Sequence, residues 1–584
     1  MLKEKEKNLD PVTVEIVGNL LLSIAEEMGA TLIRSAYSSN IKERKDCSTA
    51  IFDVNGRMVA QAEHIPMHLG SMLGIIDEII KKYPIDTLTA GDMFIANDPY
   101  AGGGTHLPDI TVAAPVFDSG RLIAWVANIA HHSDVGGKVP GSTSGDAVSI
   151  FQEGIRIPPI KVIQGGKPIR EIIDFILTNC RTPEERKGDL QAQFASNTVG
   201  ARRVIEAYRK YGDKLEECMY ALQDYAARRL SAGIAKVPSG IYTFTDYMDN
   251  DGINDEPVKI SVKITVDNGF MILDFSDTSP QVSGPINVTF NGLLATVFYS
   301  LKALIDPDIP SNAGIYRTFK VIAPKGTIVN AISPAPVGER IDTCQRVVDV
   351  IFGAMAKAIP ERVIAACNSA VTTATFSGID PRNEAFFVYL ETIAGGSGAS
   401  KRCDGMSGVQ VHMTNTSNLP VEALEIEYPL LVERYTLRPD SGGAGKYRGG
   451  LGIQRDIRIL NDGVTFSGLA DRQKIAPWGL EGAGEGACGA YYHIRDGVSR
   501  RIGSKSSNIE LKKGDVISIL TPGAGGYGNP LEREPELVKK DVIEGKVSPD
   551  KASELYGVIL CGSGNGLRID EQMTTERRRK LKAL

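Results

Sequence analysis

The apolar pattern of the chain changes twice along its length, and these changes most limit the folds open to it. Up to about residue 235, helical stripes alternate with short hairpin signals. Near Lys236 the pattern turns to consecutive strands, and beyond Tyr428 glycine becomes dense and the apolar runs short. No single repeat accounts for these patterns, so the sequence predicts an α+β, multi-domain fold with a mixed α/β N-terminal region and a β-rich C-terminal region.

The same changes give the predicted domain boundaries. A chain of 584 residues is long enough for two to four domains of ordinary size. We expect a mixed α/β domain over residues 1–235 and an α+β middle domain over residues 236–427. A glycine-rich β domain over 428–530 follows, and residues 531–584 form C-terminal helices and a basic tail.

Local signals place several elements. Asp10 and Pro11 supply a capping side chain and a proline at the first helical position, and apolar spacing carries the predicted helix to about Ser35. The strands Thr111–Phe117 and Arg121–Ile129 flank a turn and predict a hairpin. Further helices are predicted at Pro183–Ala235 and Glu361–Cys367, and a solvated basic tail at Thr575–Lys582.

Charge and cysteine usage exclude several classes of function. The net charge of -6 offers no extended basic surface, so we expect no nucleic-acid partner. The charged N-terminus and the lack of an uncharged apolar run of about 18 residues favour a cytoplasmic protein without a membrane span. The eight cysteines are scattered without a C-x-x-C pair, which argues against a disulfide scaffold or a thiolate zinc site.

Histidine is concentrated in one part of the chain, since five of the seven lie between residues 64 and 132. His106 and Asp109 are three residues apart and follow three glycines, in a loop whose backbone can take unusual angles. Neutral imidazole with carboxylate is a ligand set for first-row transition metals. His131 and His132 end the predicted strand beside this loop and offer a third ligand. Two histidines and one aspartate would leave open positions, as a catalytic metal needs.

The residues alone also allow a purely structural role, in which His106 stabilises a turn and His131 and His132 lie in a surface loop. His64 and His68 have helical metal-pair spacing, but Pro66 between them disfavours a regular helix. Two nearby carboxylates, Asp98 and Glu153, are candidates for a general base or for orienting a ligand imidazole.

Two glycine-rich segments imitate nucleotide loops. Gly523–Gly528 matches G-x-G-x-x-G, but Asn529-Pro530 stands where the nucleotide-binding helix would begin. At Ser441–Tyr447 the match to a phosphate loop fails, because Asp440 stands where the first glycine belongs and Tyr447 replaces the magnesium-binding hydroxyl. The sequence therefore predicts no ATP site in this chain.

Six segments in the expected order, between about Pro11 and Leu560, resemble the hydantoinase B family. This family includes B-type subunits of ATP-dependent hydantoinases, the matching part of 5-oxoprolinases, and subunits of acetone and acetophenone carboxylases. The segments are Ser39–Asp46, Ala62–Ser71, Asn97–Asp109, Phe151–Pro158, Pro439–Gly445 and Thr521–Gly528.

The resemblance implies a hetero-oligomer in which two kinds of chain carry out different steps of the reaction. A hydantoinase A type partner with an actin-like ATPase fold binds ATP and phosphorylates a small cyclic amide, and the B-type chain holds a divalent metal. The metal pattern of the carboxylase relative falls on His106, Asp109 and His131, with manganese, zinc or iron as the metal. His132, Glu153 and Asp98 are then the expected catalytic residues, and His132 remains an alternative to His131 as ligand.

Two other functions stay open. A B-type chain of an ATP-dependent ketone carboxylase would use the metal to hold an enolate and carbon dioxide. A non-catalytic scaffold would only stabilise its partner chain and would not need an open metal site.

Overall fold

The structure, a computed structural model, describes residues 9–62, 65–562 and 564–583. His64 lies outside the described residues. The chain is α+β, with helices and several separate sheets, which confirms the predicted fold class. Its helices are α1 Pro11–Ser35, α2 Ser39–Lys42, α3 His68–Ser71, α4 Ile75–Lys82, α5 Arg170–Thr178, α6 Pro183–Tyr211, α7 Lys214–Ile234, α8 Phe290–Ile305, α9 Arg340–Met355, α10 Val421–Glu427, α11 Pro535–Ile543, α12 Pro549–Leu555 and α13 Glu571–Lys582.

The strands are distributed along the whole chain. They are β1 Cys47–Phe52, β2 Met58–Ala62, β3 Met93–Ala96, β4 Asp109–Asp118, β5 Arg121–His131, β6 Ile160–Gln164, β7 Lys167–Pro168, β8 Gly240–Met248, β9 Val258–Asp267, β10 Phe270–Asp274, β11 Phe319–Ile322, β12 Thr372–Ile379, β13 Phe386–Ile393, β14 Leu430–Leu437, β15 Ile453–Ile459, β16 Val464–Leu469, β17 Ala490–Arg495, β18 Val498–Ile502, β19 Lys505–Leu511, β20 Val516–Leu520, β21 Leu560–Cys561 and β22 Arg568–Ile569.

A seven-stranded antiparallel sheet organises the N-terminal region, in the order β2-β1-β5-β4-β3-β6-β7. Helix α6 packs on β4 and β5, α1 packs on β1 and β2, and the two helices pack against each other, so one layer of helix covers this face of the sheet. The buried apolar side chains between them include Val17, Leu21, Val112 and Val126. This packing fixes the central hairpin of β4 and β5, which carries the candidate site.

The remaining sheets lie further along the chain. β8 to β11 form a four-stranded sheet against which α9 packs. Two more sheets, β13-β12-β16-β19 and β14-β15-β20-β17-β18, share an apolar core that includes Phe376, Phe466, Ile457 and Ile517. The β-rich C-terminal region predicted from glycine density and short apolar runs is therefore observed.

The structure confirms most local predictions and corrects some. Asp10 caps α1 by accepting from the backbone N–H groups of Val12 and Thr13, as its position predicts. The helical stretch Pro183–Ala235 is divided at Gly212, which has a positive φ of 58°. The predicted helix at Glu361–Cys367 is wrong, because this segment is irregular and pairs with the chain around residues 396–400. The basic tail is helical, within α13.

By length and composition alone, α1 could cross a membrane; no other helix in the described ranges passes this test. A core helix of a globular protein passes it too, and α1 buries Val17, Leu21 and Met28 completely.

The two glycine-rich segments that imitate nucleotide loops pack against each other. A Cβ atom at Gly523 would lie 1.8 Å from the carbonyl oxygen of Ser441, and one at Gly525 would lie 1.9 Å from that of Trp478. Close backbone packing therefore accounts for glycine at these positions without a phosphate ligand.

Candidate metal centre

The register of the central hairpin brings His106, Asp109 and His131 together. Asp109 is the first residue of β4 and stands directly opposite His131, the last residue of β5. The loop before β4 turns through Gly102 and Gly104, with positive φ angles of 74° and 95°, and returns His106 over the end of the hairpin. The side chains of His106, Asp109 and His131 therefore lie together at the edge of the sheet.

The three side chains form a compact donor set. Their ligand atoms lie within 4.8 Å of one another, and the two imidazole rings are 5.0 Å apart at their centroids. Nε2 of His106 lies 3.2 Å from Oδ1 of Asp109. Both atoms are buried, and neither has a hydrogen-bond partner among the described residues. These two atoms have unsatisfied lone pairs and face each other at this distance. A cation between them would satisfy both.

The other atoms of the same side chains are held by hydrogen bonds. Nδ1 of His106 lies 3.1 Å from the carbonyl oxygen of Gly338, an acceptor that favours a proton on Nδ1 and a free lone pair on Nε2. Oδ2 of Asp109 accepts from Arg340 at 2.8 Å and from Thr105 at 3.3 Å. These bonds orient Nε2 and Oδ1 toward each other.

Electrostatics favour the metal-binding protonation states. Burial lowers the pKa of His106 and, more strongly, that of His131. Burial acts to raise the pKa of Asp109, but the charges of His106 and Arg340 outweigh it and hold this pKa well below its usual value. The site therefore presents two neutral imidazoles and one carboxylate near neutral pH, and these residues fit a divalent transition metal.

A narrow cavity of about 60 Å³ opens beside this donor set. His68 lines it, with Nε2 4.0 Å from Oδ1 of Asp109. Asp46 also lines it, and burial, followed by the charge of Asp109, raises the pKa of Asp46 to about 7, against the effect of Arg44. Asp46 is thus a further oxygen donor within reach of the same cavity.

Glu153 does not line the cavity but holds the segment that does. Its carboxylate accepts from the backbone N–H of Gly338 at 2.7 Å and of Val337 at 3.1 Å. Burial raises its pKa to about 7. Because Gly338 contacts His106, Glu153 positions a metal-site histidine through the backbone.

The structure does not bring His132 or Asp98 to the cavity. Nε2 of His132 lies 3.0 Å from Oε1 of Gln193 on α6, on the other side of the hairpin. Asp98 forms an ion pair with Arg156 at 2.7 Å and caps its own turn by accepting from the N–H of Tyr100. The contacts of both residues are structural.

A second group of potential ligands has a different character. Asp349, Cys367 and His412 also lie within 4.8 Å of one another at their ligand atoms. Here Nε2 of His412 bonds to Oδ1 of Asp349 at 3.2 Å, and Arg472 donates to Oδ2 at 3.0 Å. Because the carboxylate is already satisfied by neighbouring donors, this group resembles a hydrogen-bonded ion-pair cluster rather than a metal site.

Sequence reasoning missed the residues that come from a distance. Arg340 lies 231 residues from Asp109, and nothing in its local sequence marks it. Arg44 and Asp46 fall within the Ser39–Asp46 segment that carries the family resemblance, which was the only signal for them.

Comparison with known proteins identifies the family of this chain. The sequence matches the hydantoinase B/oxoprolinase family over residues 10–530. It is 42% identical to an uncharacterised protein of Methanocaldococcus jannaschii, covering 98% of this chain and 100% of that one. It is 37% identical to the putative B-type subunit of a D-/L-hydantoinase from Pseudomonas sp. (strain NS671), covering 98% of both chains.

Two solved structures are similar over nearly the whole chain. The ATP-dependent caprolactamase from Pseudomonas jessenii has a TM-score of 0.90 at 31% identity, covering 98% of this chain and 100% of that one. Nucleotide-free acetone carboxylase has a TM-score of 0.93 at 20% identity, covering 100% of this chain and 84% of that one, and shows likeness of fold alone. The chain therefore belongs to the hydantoinase B/oxoprolinase family, whose members include subunits of ATP-dependent enzymes that hydrolyse lactam rings.

Proposed function

We propose that this chain is the metal-containing subunit of an ATP-dependent amidohydrolase. It opens a hydantoin, 5-oxoproline or related lactam ring after a hydantoinase A type partner has phosphorylated the substrate. The observation that carries the proposal is the pair of buried, unsatisfied atoms, Nε2 of His106 and Oδ1 of Asp109, facing each other beside a cavity. The relatives named as hydantoinase and caprolactamase subunits support the choice of substrate class.

His106, Asp109 and His131 would hold the metal, with manganese, zinc or iron as candidates. A divalent ion at this position supplies Lewis acidity and lowers the pKa of water to about 7. Asp46 and His68 line the same cavity and are placed to receive a proton from the attacking water or to give one to the ring nitrogen.

The remaining residues keep the donors in place. Arg340 holds one oxygen of Asp109 so that the other faces His106. Glu153 binds the Val337–Gly338 backbone, whose carbonyl orients the His106 ring. Direct proton transfer by His132, Glu153 or Asp98 stays a prediction from the sequence, and their contacts favour positioning instead.

ATP is used by the partner chain. An amide carbon is a poor electrophile, and phosphorylation of its oxygen makes it a better one. Water adds to this carbon, the bond to the protonated ring nitrogen breaks, and a second water hydrolyses the resulting acyl phosphate to a carboxylate and inorganic phosphate. The partner therefore performs the activation, and this chain performs the hydrolysis in a hetero-oligomer.

The test is a reconstituted assay with a co-expressed hydantoinase A type partner, ATP and a panel of cyclic amides. We expect ATP-dependent ring opening by wild type and its loss in His106→Ala with the partner still bound. Full turnover by His106→Ala with unchanged metal content would contradict the proposal.

The same assay separates the alternatives. A requirement for bicarbonate, with its label incorporated into the product, would replace the hydrolase by a ketone carboxylase. Ring opening that survives loss of the whole metal site would leave this chain a scaffold.

A further inference from the structure

Arg44 is a fully buried arginine without a carboxylate partner. It is 1% exposed, and within the described ranges no carboxylate oxygen lies within 4.0 Å of its guanidinium group. The five other large, fully buried arginines each have such a partner at 3.0 Å or less. The pairs are Arg186–Asp189, Arg346–Asp471, Arg455–Glu391, Arg472–Asp349 and Arg533–Asp541.

A buried charge without a counter-charge in direct contact is unfavourable, and so its retention calls for a reason. Neutral groups hold Arg44 in place. One terminal nitrogen donates to Asn40 and to the carbonyl oxygen of Leu390, and the other donates to Thr392 at 3.0 Å. Nε is buried with no partner among the described residues. Burial lowers the pKa of Arg44, and the charges of Asp46 and Glu391, which lie near it without contact, do not offset this effect.

Arg44 lines the cavity that contains the metal donor set. A second guanidinium group, that of Arg340, also lines this cavity and is already paired with Asp109. Five threonines line the same cavity and add hydroxyl groups suited to an oxyanion. They are Thr143, Thr373, Thr392, Thr414 and Thr416.

The charges of the loaded cavity do not balance. Two arginines and a divalent ion supply four positive charges, whereas Asp46 and Asp109 supply at most two negative ones. Glu339 also lines the cavity, but burial, followed by the charge of Asp342, raises its pKa well above the usual value, so it stays neutral. An occupant with two negative charges restores the balance.

We propose that Arg44 binds a dianionic phosphoryl group in this cavity, beside the residues of the candidate metal centre. The choice of a phosphoryl group rests on the proposed function, because that group arrives on the activated substrate and remains as inorganic phosphate after hydrolysis. The unpaired Nε–H and a terminal N–H of Arg44 form the fork that such a group accepts.

The test is a calorimetric titration of inorganic phosphate into the full chain loaded with manganese or zinc. We expect wild type to bind phosphate, and Arg44→Met to bind it at least about tenfold more weakly with unchanged metal content. Arg44→Lys keeps the charge but loses the fork, and we expect an intermediate loss. Arg533→Lys, in a buried arginine that also has an unpaired Nε but lies outside the cavity, is the matched control and should bind phosphate like wild type.

Phosphate binding that is unchanged in Arg44→Lys and Arg44→Met would overturn the proposal, and Arg44→Lys decides alone if Arg44→Met does not fold. Bicarbonate binding more tightly than phosphate would also overturn it, since it would identify a monoanion site. Metal content measured on the same samples separates the two proposals. Phosphate bound through Arg44 in a chain that takes up no metal would contradict the hydrolase alone, and metal without phosphate would contradict this inference alone.

Discussion

At the residue scale, two individual atoms support the proposal that this site binds a metal ion. Leaving a buried polar atom unsatisfied costs on the order of 1–3 kcal/mol, and Nε2 of His106 and Oδ1 of Asp109 are both in this state. The carbonyl oxygen of Gly338 contacts the other nitrogen of the His106 ring, and Arg340 donates to the other oxygen of Asp109. These contacts orient Nε2 and Oδ1 toward each other. The cost is offset if a cation occupies the space between them.

Glu153 gives a prediction for the pH dependence of stability. Its pKa is about 7 in the folded chain against an ordinary 4.5, so the folded state holds its proton more tightly than the unfolded state. The stabilisation is complete below pH 4.5 and is lost as pH rises through 7. We expect metal-free wild type to lose about 3 kcal/mol relative to Glu153→Gln across this window.

Chemical denaturation at several pH values measures this difference. The exposed substitution Glu422→Gln is the control for the change from carboxylate to amide. A difference between wild type and Glu153→Gln that stays constant from about pH 4.5 to about pH 8 would show that Glu153 is ionised in the folded chain.

Sequence reasoning found the residues that are close together in the chain and missed those that are not. His106 and Asp109 are three residues apart, and His131 ends the strand that pairs with β4, so spacing alone brings them together. Arg340 and Arg44 reach the cavity through tertiary packing, which leaves no local periodicity to detect. His132 and Asp98 have the right chemistry and neighbouring positions but face other partners.

At the scale of elements, the hairpin and the glycine loop position the site. The turn at residues 118–121 fixes the β4–β5 register, and this register sets Asp109 opposite His131. Both strands were predictable because near-continuous apolar runs flank a turn signal. The segment 361–367 misled because its residues favour a helix, whereas backbone pairing with the chain around residues 396–400 holds it irregular.

Gly104 gives a prediction for the loop. Its φ is +95°, and a Cβ atom there would lie 2.8 Å from the carbonyl oxygen of Asp109. Gly120 has a similar φ of +82° but nothing within 4 Å of a Cβ atom. We expect Gly104→Ala to destabilise the chain by on the order of 1–3 kcal/mol more than Gly120→Ala and to weaken metal binding.

Thermal unfolding and metal titration of the two variants measure this contrast. Equal loss of stability in both variants would mean that backbone strain alone acts at Gly104. Unchanged metal affinity in Gly104→Ala would mean that the loop does not position the donor set.

At the scale of the whole molecule, segments far apart between residues 44 and 416 come together to line the cavity. His106 and Asp109 come from the N-terminal sheet, Glu339 and Arg340 from the start of α9, and Thr392 from the end of β13. The contact of Arg44 with the carbonyl oxygen of Leu390 joins residues 346 positions apart. The predicted boundary at 235 thus separates two regions that share one site, and no local pattern could reveal that sharing.

Metal binding should stabilise the folded chain as a whole. A ligand that binds only the folded state adds about 4 kcal/mol when its free concentration is about a thousand times its Kd. We expect the melting temperature to rise on loading with manganese or zinc and to fall again with a chelator. Calorimetry measures the shift, and a chain that melts identically with metal, without it and with chelator would show that metal does not bind the folded state.

The most direct measurement is elemental analysis of the purified full chain beside the double variant His106→Ala, Asp109→Ala. The account predicts about one transition metal per wild-type chain and none in the variant, with both chains folded. No metal in either chain, even after loading, or equal metal in both, would contradict the assignment of this site and the hydrolytic role built on it.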